Sequence, residues 1–249
     1  MYSVRDRLPT GPAQDEHCCG ERFAVRGWCC DDPAAKFGDV DVSERTYLYL
    51  LRHGATDANQ RRPYVLQGQG TDGPLSQAGR TQARRAAEAL AHLPIHTVFA
   101  SPLKRSRETA AIVAEPHGAQ VRVVPEITEV DVGEWEAMSW NAVMERYPEQ
   151  YRRFMSDPAV FPYAGGESYA DVARRVVPAL EAILREHDGH VAVVGHNVVN
   201  RVFLAHLLGV ELRRARTLRQ SNCGINVIRR KGDEIELITL NGVLHLESE

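Results

Sequence analysis

The 249-residue chain has almost no lysine. Only Lys36, Lys104 and Lys231 stand among its 30 basic residues, and the others are arginine. It also lacks an excess of either charge, with a net charge of -3. That excludes the strongly basic face of a nucleic-acid or anionic-membrane binder. No apolar run approaches the length of a bilayer-spanning helix. The opening Met1-Tyr2-Ser3-Val4-Arg5-Asp6-Arg7 leads into no apolar segment of the kind a secretory signal needs. The expectation is a cytoplasmic protein with neither nucleic acid nor membrane as a partner. Any anion site must then be a local, arginine-lined pocket.

Cysteine is scarce and awkwardly spaced. Four of the five form the vicinal pairs Cys18-Cys19 and Cys29-Cys30, and Cys223 stands far away. An odd count in this pattern is no closed disulfide framework. Zinc sites favour Cys-x-x-Cys, which lets both sulfurs reach one ion, and neighbouring cysteines do this poorly. The pairs read as free thiols, with a small zinc site including His17 as the alternative. The chain also lacks a Walker-type glycine loop, an aspartate cluster for magnesium and a His-x-x-x-His pair for zinc. The expected chemistry needs no metal and no cofactor.

Residues 1–44 show no sustained period and are punctuated by Pro9, Gly11, Pro12, Gly20, Gly27, Pro33 and Gly38. They are expected to be a disordered N-terminal extension. Arginine in place of lysine suits a GC-rich gene, in which upstream frames stay open by chance. A start at Val40 or Val42 is therefore the alternative reading of this stretch. Residues 45–249 form the expected domain, and the 43% hydrophobic share suffices for a proper core.

What the domain does contain is a repeated switch from core chemistry to anion chemistry. Tyr47-Leu48-Tyr49-Leu50-Leu51 reads as a buried strand, and it ends in Arg52-His53-Gly54. Arginine offers phosphate a planar fork of donors. Histidine can act as nucleophile or acid–base group near neutral pH. His96-Thr97-Val98-Phe99-Ala100-Ser101 is a second strand, and Arg105 follows near a helix N-terminus, which suits an anion. His190-Val191-Ala192-Val193-Val194-Gly195 is a third, ending at His196 and Asn197 before a helix to about Leu208. Each cluster alone also reads as a solvated strand end, so the case rests on their convergence.

The connecting segments fill in the architecture. Gly54 to Gly73 reads as a functional loop, because it follows the Arg52-His53-Gly54 triplet directly. Ser76 and Ser168 are predicted N-caps of helices, the second running to about Glu186. Val121–Val124 is a short strand. The acidic stretch after it offers Glu126, Glu129, Asp131 and Glu134 as general acids, and spacing alone does not choose among them. Residues 139–156 read as helical, with Trp140, Val143, Met144, Tyr147, Tyr151 and Phe154 on one face. Ile225–Ile228 and Glu234–Leu240 flank Lys231-Gly232-Asp233 as a hairpin. The alternation predicts an α/β fold, a three-layer sandwich with a mostly parallel central sheet flanked by helices on both faces. If the strand ends share one sheet edge, two arginines and two histidines meet, and a phosphoryl group is the obvious ligand.

These segments resemble the histidine phosphatase superfamily, which includes cofactor-dependent phosphoglycerate mutases. The match covers about residues 46–245. It rests on Leu51-Arg52-His53-Gly54-Ala55-Thr56-Asp57-Ala58-Asn59, Asp72-Gly73-Pro74-Leu75-Ser76-Gln77-Ala78-Gly79 and Ser101-Pro102-Leu103-Lys104-Arg105-Ser106-Arg107-Glu108-Thr109-Ala110. Glu129-Val130-Asp131-Val132-Gly133-Glu134-Trp135-Glu136, Gly165-Gly166-Glu167-Ser168 and Val194-Gly195-His196 complete it. The resemblance implies His53 as the nucleophile and Glu129 as the acid that protonates the leaving oxygen. It implies that Arg52, Arg105 and His196 hold the phosphoryl oxygens and that Asn59 helps, with Asn197, Gln67 and Gly68 as further substrate contacts. Position 55 is Ala where many members carry Glu, and Asn197 follows His196 where many carry Gly.

The resemblance implies a phosphatase acting on a small phosphoester. A mutase is the alternative, but Trp135 to Ser168 lacks the longer insertion with an Arg-Arg-Ser segment. A non-catalytic phospho-ligand binder is the third reading, and the presence of His53 and Glu129 speaks against it. Arg61, Arg62, Tyr64 and residues 139–163 are expected around the mouth. The sequence leaves a homodimer open.

Overall fold

The apolar run Tyr47–Leu51 becomes the strand β1 (Arg45–Arg52), which lies inside the sheet with neighbours on both sides. The computed structural model describes residues 45–247. The two vicinal cysteine pairs and the expected N-terminal extension lie outside the described residues.

Five further strands complete the sheet: β2 (Ile95–Ala100), β3 (Gln120–Val123), β4 (Gly189–Gly195), β5 (Ile225–Lys231) and β6 (Glu234–Gly242). Their order is β3-β2-β4-β1-β5-β6. β3, β2, β4 and β1 run parallel, and the β5–β6 hairpin is antiparallel. The expected mostly parallel α/β sandwich is therefore what forms.

The two-residue period of the strands sends side chains to two cores. Leu48, Leu50, Phe99, Val191, Val193 and Ile228 pack with α6 (Tyr169–Glu186) and α7 (Asn197–Leu207). Tyr49, Leu51, Val98, Ala100, Ala192 and Val194 pack with α2 (Gln77–Leu90) and α3 (Lys104–Ala114). Covered faces on both sides explain why β1 and β4 read as continuous apolar runs. Leu48, Leu50 and Leu51 are fully buried, and each such side chain contributes about 2–3 kcal/mol relative to exposure.

Ser76 and Ser168 cap α2 and α6 as predicted, and Asp171 completes a capping box with Ser168. Residues 139–156 correct the single helical reading. They form two helices, α4 (Trp140–Arg146) and α5 (Pro148–Ser156), broken at Tyr147 with φ -130° and ψ 53°. The cause is local. The ring of Pro148 disfavours helical backbone at the residue before it. Phe154 is nonetheless buried and Val143 fully so, and Trp135 gathers Trp140, Tyr147, Phe154 and Tyr163 around it.

No helix of the described residues is long and apolar enough to cross a membrane. Burial pushes the thiol of Cys223 up to about 12, so this cysteine is inert core.

Candidate active site

β1, β2 and β4 run in the same direction, so their carboxyl ends share one edge of the sheet. The His53 N–H donates to the Gly195 carbonyl at 3.1 Å and carries the β1–β4 ladder one step past Arg52. His53 Nδ1 lies 2.7 Å from its neighbour's carbonyl, on Gly54. A carbonyl only accepts, so Nδ1 carries the proton and Nε2 keeps its lone pair. The loop beyond is held tightly. The Gly54 N–H donates to Thr109 Oγ1 at 3.0 Å, and the Ala55 N–H donates to Gln82 Oε1 at 2.9 Å. A Cβ on Gly79 would stand 2.0 Å from the Ala55 carbonyl oxygen, so only glycine lets α2 approach the loop this closely.

Three cationic or N–H-bearing groups surround His53. Arg52 donates from Nη1 to the Gln220 carbonyl at 2.9 Å. Arg105 is fully buried and donates to the carbonyls of Thr71 and Gly68, both at 2.8 Å. His196 is the N-cap residue of α7, and its ring centroid lies 5.1 Å from that of His53. Its Nε2 is 2.6 Å from Ser101 Oγ, which also accepts the Leu103 N–H at 3.3 Å. His196 Nε2 is the one acceptor of the Ser101 hydroxyl proton among the described residues, which assigns the His196 proton to Nδ1. Among the described residues, Arg52 Nε, Arg105 Nε and His196 Nδ1 are all buried without a hydrogen-bond partner. A buried unpaired donor is costly, and an anionic ligand relieves that cost.

The charges set the protonation states. Burial, reinforced by Arg105 and Arg52, holds the His53 imidazole well below the usual histidine range. Burial does the same to His196, with Arg105, His53 and Arg52 adding to it. Both rings are neutral near pH 7, while the two guanidinium groups remain cationic even though burial lowers them. A neutral imidazole with a free Nε2 beside two arginines has the chemistry to attack a bound anion.

Of the four carboxylates in the acidic loop, Glu129 is the one on the cavity wall. It is 4% exposed, whereas Glu126 and Glu134 are exposed to solvent. Its oxygens accept N–H groups from Val130 (2.9 Å), Asn197 (2.9 Å) and Val198 (3.3 Å), so it sits on the N-terminus of α7. Behind it, Arg175 forks onto Glu167 at 2.8 Å through both Nε and Nη2. The same guanidinium donates to the carbonyls of Glu126, Thr128 and Glu129. That clamp fixes the loop that carries Glu129.

The cavity has a volume of about 650 Å³. Arg52, His53, Asn59, Gln67, Glu129 and Asn197 line it, and Arg105 and His196 are buried behind that wall. Gly68 is not part of the wall: its N–H is held by Glu136 at 2.9 Å and its carbonyl by Arg105. Asn59 closes the first turn of α1 (Asp57–Gln60) and receives Asn222 Nδ2 at 3.2 Å. Of the expected mouth residues, Tyr64, Trp140, Phe154 and Tyr163 line the cavity. Arg61 and Arg62 do not, and Arg62 folds back on the carbonyls of residues 59–61. Among the described residues no cluster of His, Cys, Asp and Glu could hold a metal ion.

Sequence reasoning missed the segment before β5. Asn222 Nδ2 donates to the His53 carbonyl at 2.9 Å, and Gln220 supports Arg52. Its only signal was the polar turn Ser221-Asn222-Cys223-Gly224 ahead of a strand. Arg201, Arg216 and Arg219, also on the wall, carried no signal beyond their charge.

The family model described as the histidine phosphatase superfamily (branch 1) matches residues 48–242. Phosphoserine phosphatase 1 of Hydrogenobacter thermophilus is 35% identical over 200 residues, which are 80% of this chain and 93% of that protein. GpmB of Enterobacter sp. (strain 638), which carries a phosphoglycerate mutase name, is 31% identical over 182 residues, 73% of this chain and 83% of that protein. Among solved structures, a mycobacterial glucosyl-3-phosphoglycerate phosphatase in complex with VO3 aligns with a TM-score of 0.70 at 28% identity. That alignment covers 79% of this chain and 99% of that one.

Proposed function

Because the chain belongs to the histidine phosphatase superfamily and is a phosphoric monoester hydrolase, we propose that it hydrolyses a small phosphorylated metabolite through a phosphohistidine on His53, without a metal ion. The observation that carries this reading is the set of three buried donors with no partner among the described residues, Arg52 Nε, Arg105 Nε and His196 Nδ1, gathered about a neutral His53. In phosphoryl transfer the protein mostly positions groups and stabilises charge on the equatorial oxygens. Two arginines and a histidine N–H supply that charge stabilisation here.

The proposed steps start from the neutral His53 and require Glu129 to carry a proton when the substrate is bound. His53 Nε2 attacks phosphorus in line, and the P–N bond forms as the ester P–O bond breaks. Glu129 gives its proton to the leaving oxygen, and the alcohol departs. Glu129, now a carboxylate, takes a proton from water. That water attacks phosphorus, the P–N bond breaks, and inorganic phosphate leaves with His53 neutral again. Asn59 and Gln67 border the phosphoryl end of the pocket, and Asn197 presents its backbone N–H to Glu129.

Phosphate release from a panel of small phosphoesters, with EDTA present, tests the reading in wild type and in His53→Ala. Release that persists in EDTA and is abolished in the variant is the expected result. Release that depends on an added metal, or that survives His53→Ala, overturns it. Phosphoglycerate isomerised faster than phosphate is freed would move the chain to the mutases.

A further inference from the structure

Arg105 is oriented by a loop. Its Nη1 donates to the Thr71 carbonyl and its Nη2 to the Gly68 carbonyl, both at 2.8 Å. A guanidinium group is a rigid planar fork, so two bonds at its tips also set the direction of its third N–H. That N–H, on Nε, is buried with no partner among the described residues. Where residues 68–71 place their carbonyls therefore decides where Arg105 aims. Yet residues 66–73 belong to no helix or strand, so no regular ladder of backbone bonds holds them in place.

Glu136 supplies the restraint. Its Oε1 accepts the Gly68 N–H at 2.9 Å, and its Oε2 accepts the Gly70 N–H at 3.1 Å. Hydrogen bonds to an ionised acceptor are about twice as strong as neutral ones. Gly68 is thus held from both sides, its N–H by Glu136 and its carbonyl by Arg105. Close approach is what requires glycine here, since neither Gly68 nor Gly70 has a positive φ. A Cβ on Gly68 would stand 2.9 Å from Glu136 Oε2 and 2.7 Å from the Val130 carbonyl oxygen, and one on Gly70 would stand 3.0 Å from Oε2. Glu136 is itself aimed by its neighbours. Trp135 before it is fully buried. After it, the Ala137 N–H donates to the Leu66 carbonyl at 3.0 Å, and the Leu66 N–H donates to the Met138 carbonyl at 2.8 Å. Among the described residues Glu136 forms no ion pair with Arg105. The link between them runs through the loop backbone.

We infer that Glu136 is a positioning residue for phosphoryl transfer: by clamping the N–H groups of Gly68 and Gly70 it holds the carbonyls that orient Arg105, and so sets the anion affinity of the site. This rests on the phosphatase reading above and deepens it. One acidic segment then serves both halves of the reaction. Glu129 at its start serves the leaving oxygen, and Glu136 at its end serves the phosphoryl oxygens. Gly68, which does not line the cavity, acts through its backbone alone.

Glu136→Gln and Glu136→Asp test it. In Glu136→Gln the amide keeps one acceptor and turns an NH2 group on the second N–H. Glu136→Asp keeps the charge but is too short to span both N–H groups. Each is compared with wild type in orthovanadate affinity, by titration calorimetry, and in kcat/KM for p-nitrophenyl phosphate and glycerol 3-phosphate. Both variants should bind orthovanadate about tenfold more weakly or worse. Both should lose about 10- to 100-fold in kcat/KM, the cost of a misplaced group. The two substrates should lose the same factor to within about threefold, because Arg105 serves the phosphoryl oxygens and not the leaving group. A folded variant with wild-type orthovanadate affinity would make Glu136 a part of the fold only and overturns the inference. A loss confined to glycerol 3-phosphate would mean that Glu136 acts through Glu129, and overturns it too. So does a loss in Glu136→Gln with none in Glu136→Asp, which would assign the effect to charge and not to the clamp. If neither variant folds, Gly70→Ala at its exposed position crowds Oε2 and decides: orthovanadate binding should weaken by about threefold or more, and unchanged binding overturns the inference. A wild type that hydrolyses no phosphoester counts against the phosphatase reading itself, and the calorimetric comparison still decides on Glu136.

Discussion

Arg175→Met removes a guanidinium group while keeping most of its stem, and the structure sets what this should cost. Arg175 makes five hydrogen bonds, two to the Glu167 carboxylate at 2.8 Å and three to the carbonyls of Glu126, Thr128 and Glu129. Charge-assisted bonds contribute roughly 1.5–3 kcal/mol each in mutational series. Their sum overcounts here, because both side chains of the ion pair are 24% exposed and water reaches the groups left behind. A net loss of about 3 kcal/mol is the reasonable figure. For a domain of this size each kcal/mol lowers Tm by about 2–4 °C, so the fall should be about 6–12 °C.

The effect on turnover should depend on the leaving group. Glu129 keeps its three backbone donors, but the loop beneath it loses its clamp. A misplacement of the order of 1 Å costs up to about 100-fold. An alkyl phosphate needs its leaving oxygen protonated and should lose about 10- to 100-fold in kcat. p-Nitrophenyl phosphate leaves without help and should lose much less. Calorimetry and steady-state kinetics on both substrates check this. A Tm within 2 °C of wild type would refute the stability argument. An equal loss on both substrates would refute the idea that Arg175 acts through the acid.

Two further outcomes follow from the protonation states. His53 and His196 are neutral in the folded chain and bind protons below about pH 6.5 when unfolded. Their stabilising effect is therefore complete above that pH and is lost on acidification, each by up to about 1.4 kcal/mol per pH unit, until the depressed folded-state values are reached. Thermal melts from pH 7 to 5.5 should show a falling Tm, and a flat profile would count against buried neutral imidazoles. Ser101→Ala removes the hydroxyl that fixes the His196 tautomer, so kcat should fall about tenfold with Tm within a few degrees of wild type. Unchanged kcat would mean that the Nδ1–H orientation does not depend on Ser101.

The legible part of the site was the part encoded within a few residues. Arg52-His53, Arg105 and His196 each stand where an apolar strand gives way to polar chemistry, and that switch is visible in any window. Glu129 was not separable from Glu126, Asp131 and Glu134, because burial decides between them and burial is a property of the folded loop. Family resemblance singled it out, and it is the one of the four that lines the cavity. Arg175 and Arg201 lie on helices, where an arginine reads as solvated surface unless its neighbours in space are known. The break at Tyr147 was encoded locally by Pro148, yet the aromatic periodicity on both sides masked it.

The segment before β5 shows why part of the site could not be read in chain order. Three parallel strands bring their carboxyl ends to one edge, and each is marked by the polar residues just beyond its last apolar position. β5 runs antiparallel to β1, with Leu51 opposite Ile225. Its amino end therefore lies at the same edge, and the residues that reach His53 precede the strand. The Cys223 N–H donates to the Arg52 carbonyl at 3.0 Å and extends that pairing by one step. Asn222 and Gln220 are thereby carried to the His53 backbone and the Arg52 side chain. Buried amides lock the loop from below: Asn226 donates to the Leu50 carbonyl at 2.8 Å and to Gln220 Oε1 at 2.9 Å. A hairpin that looks like an appendage in sequence is thus the support for the first arginine of the site, and strand direction is the physical reason.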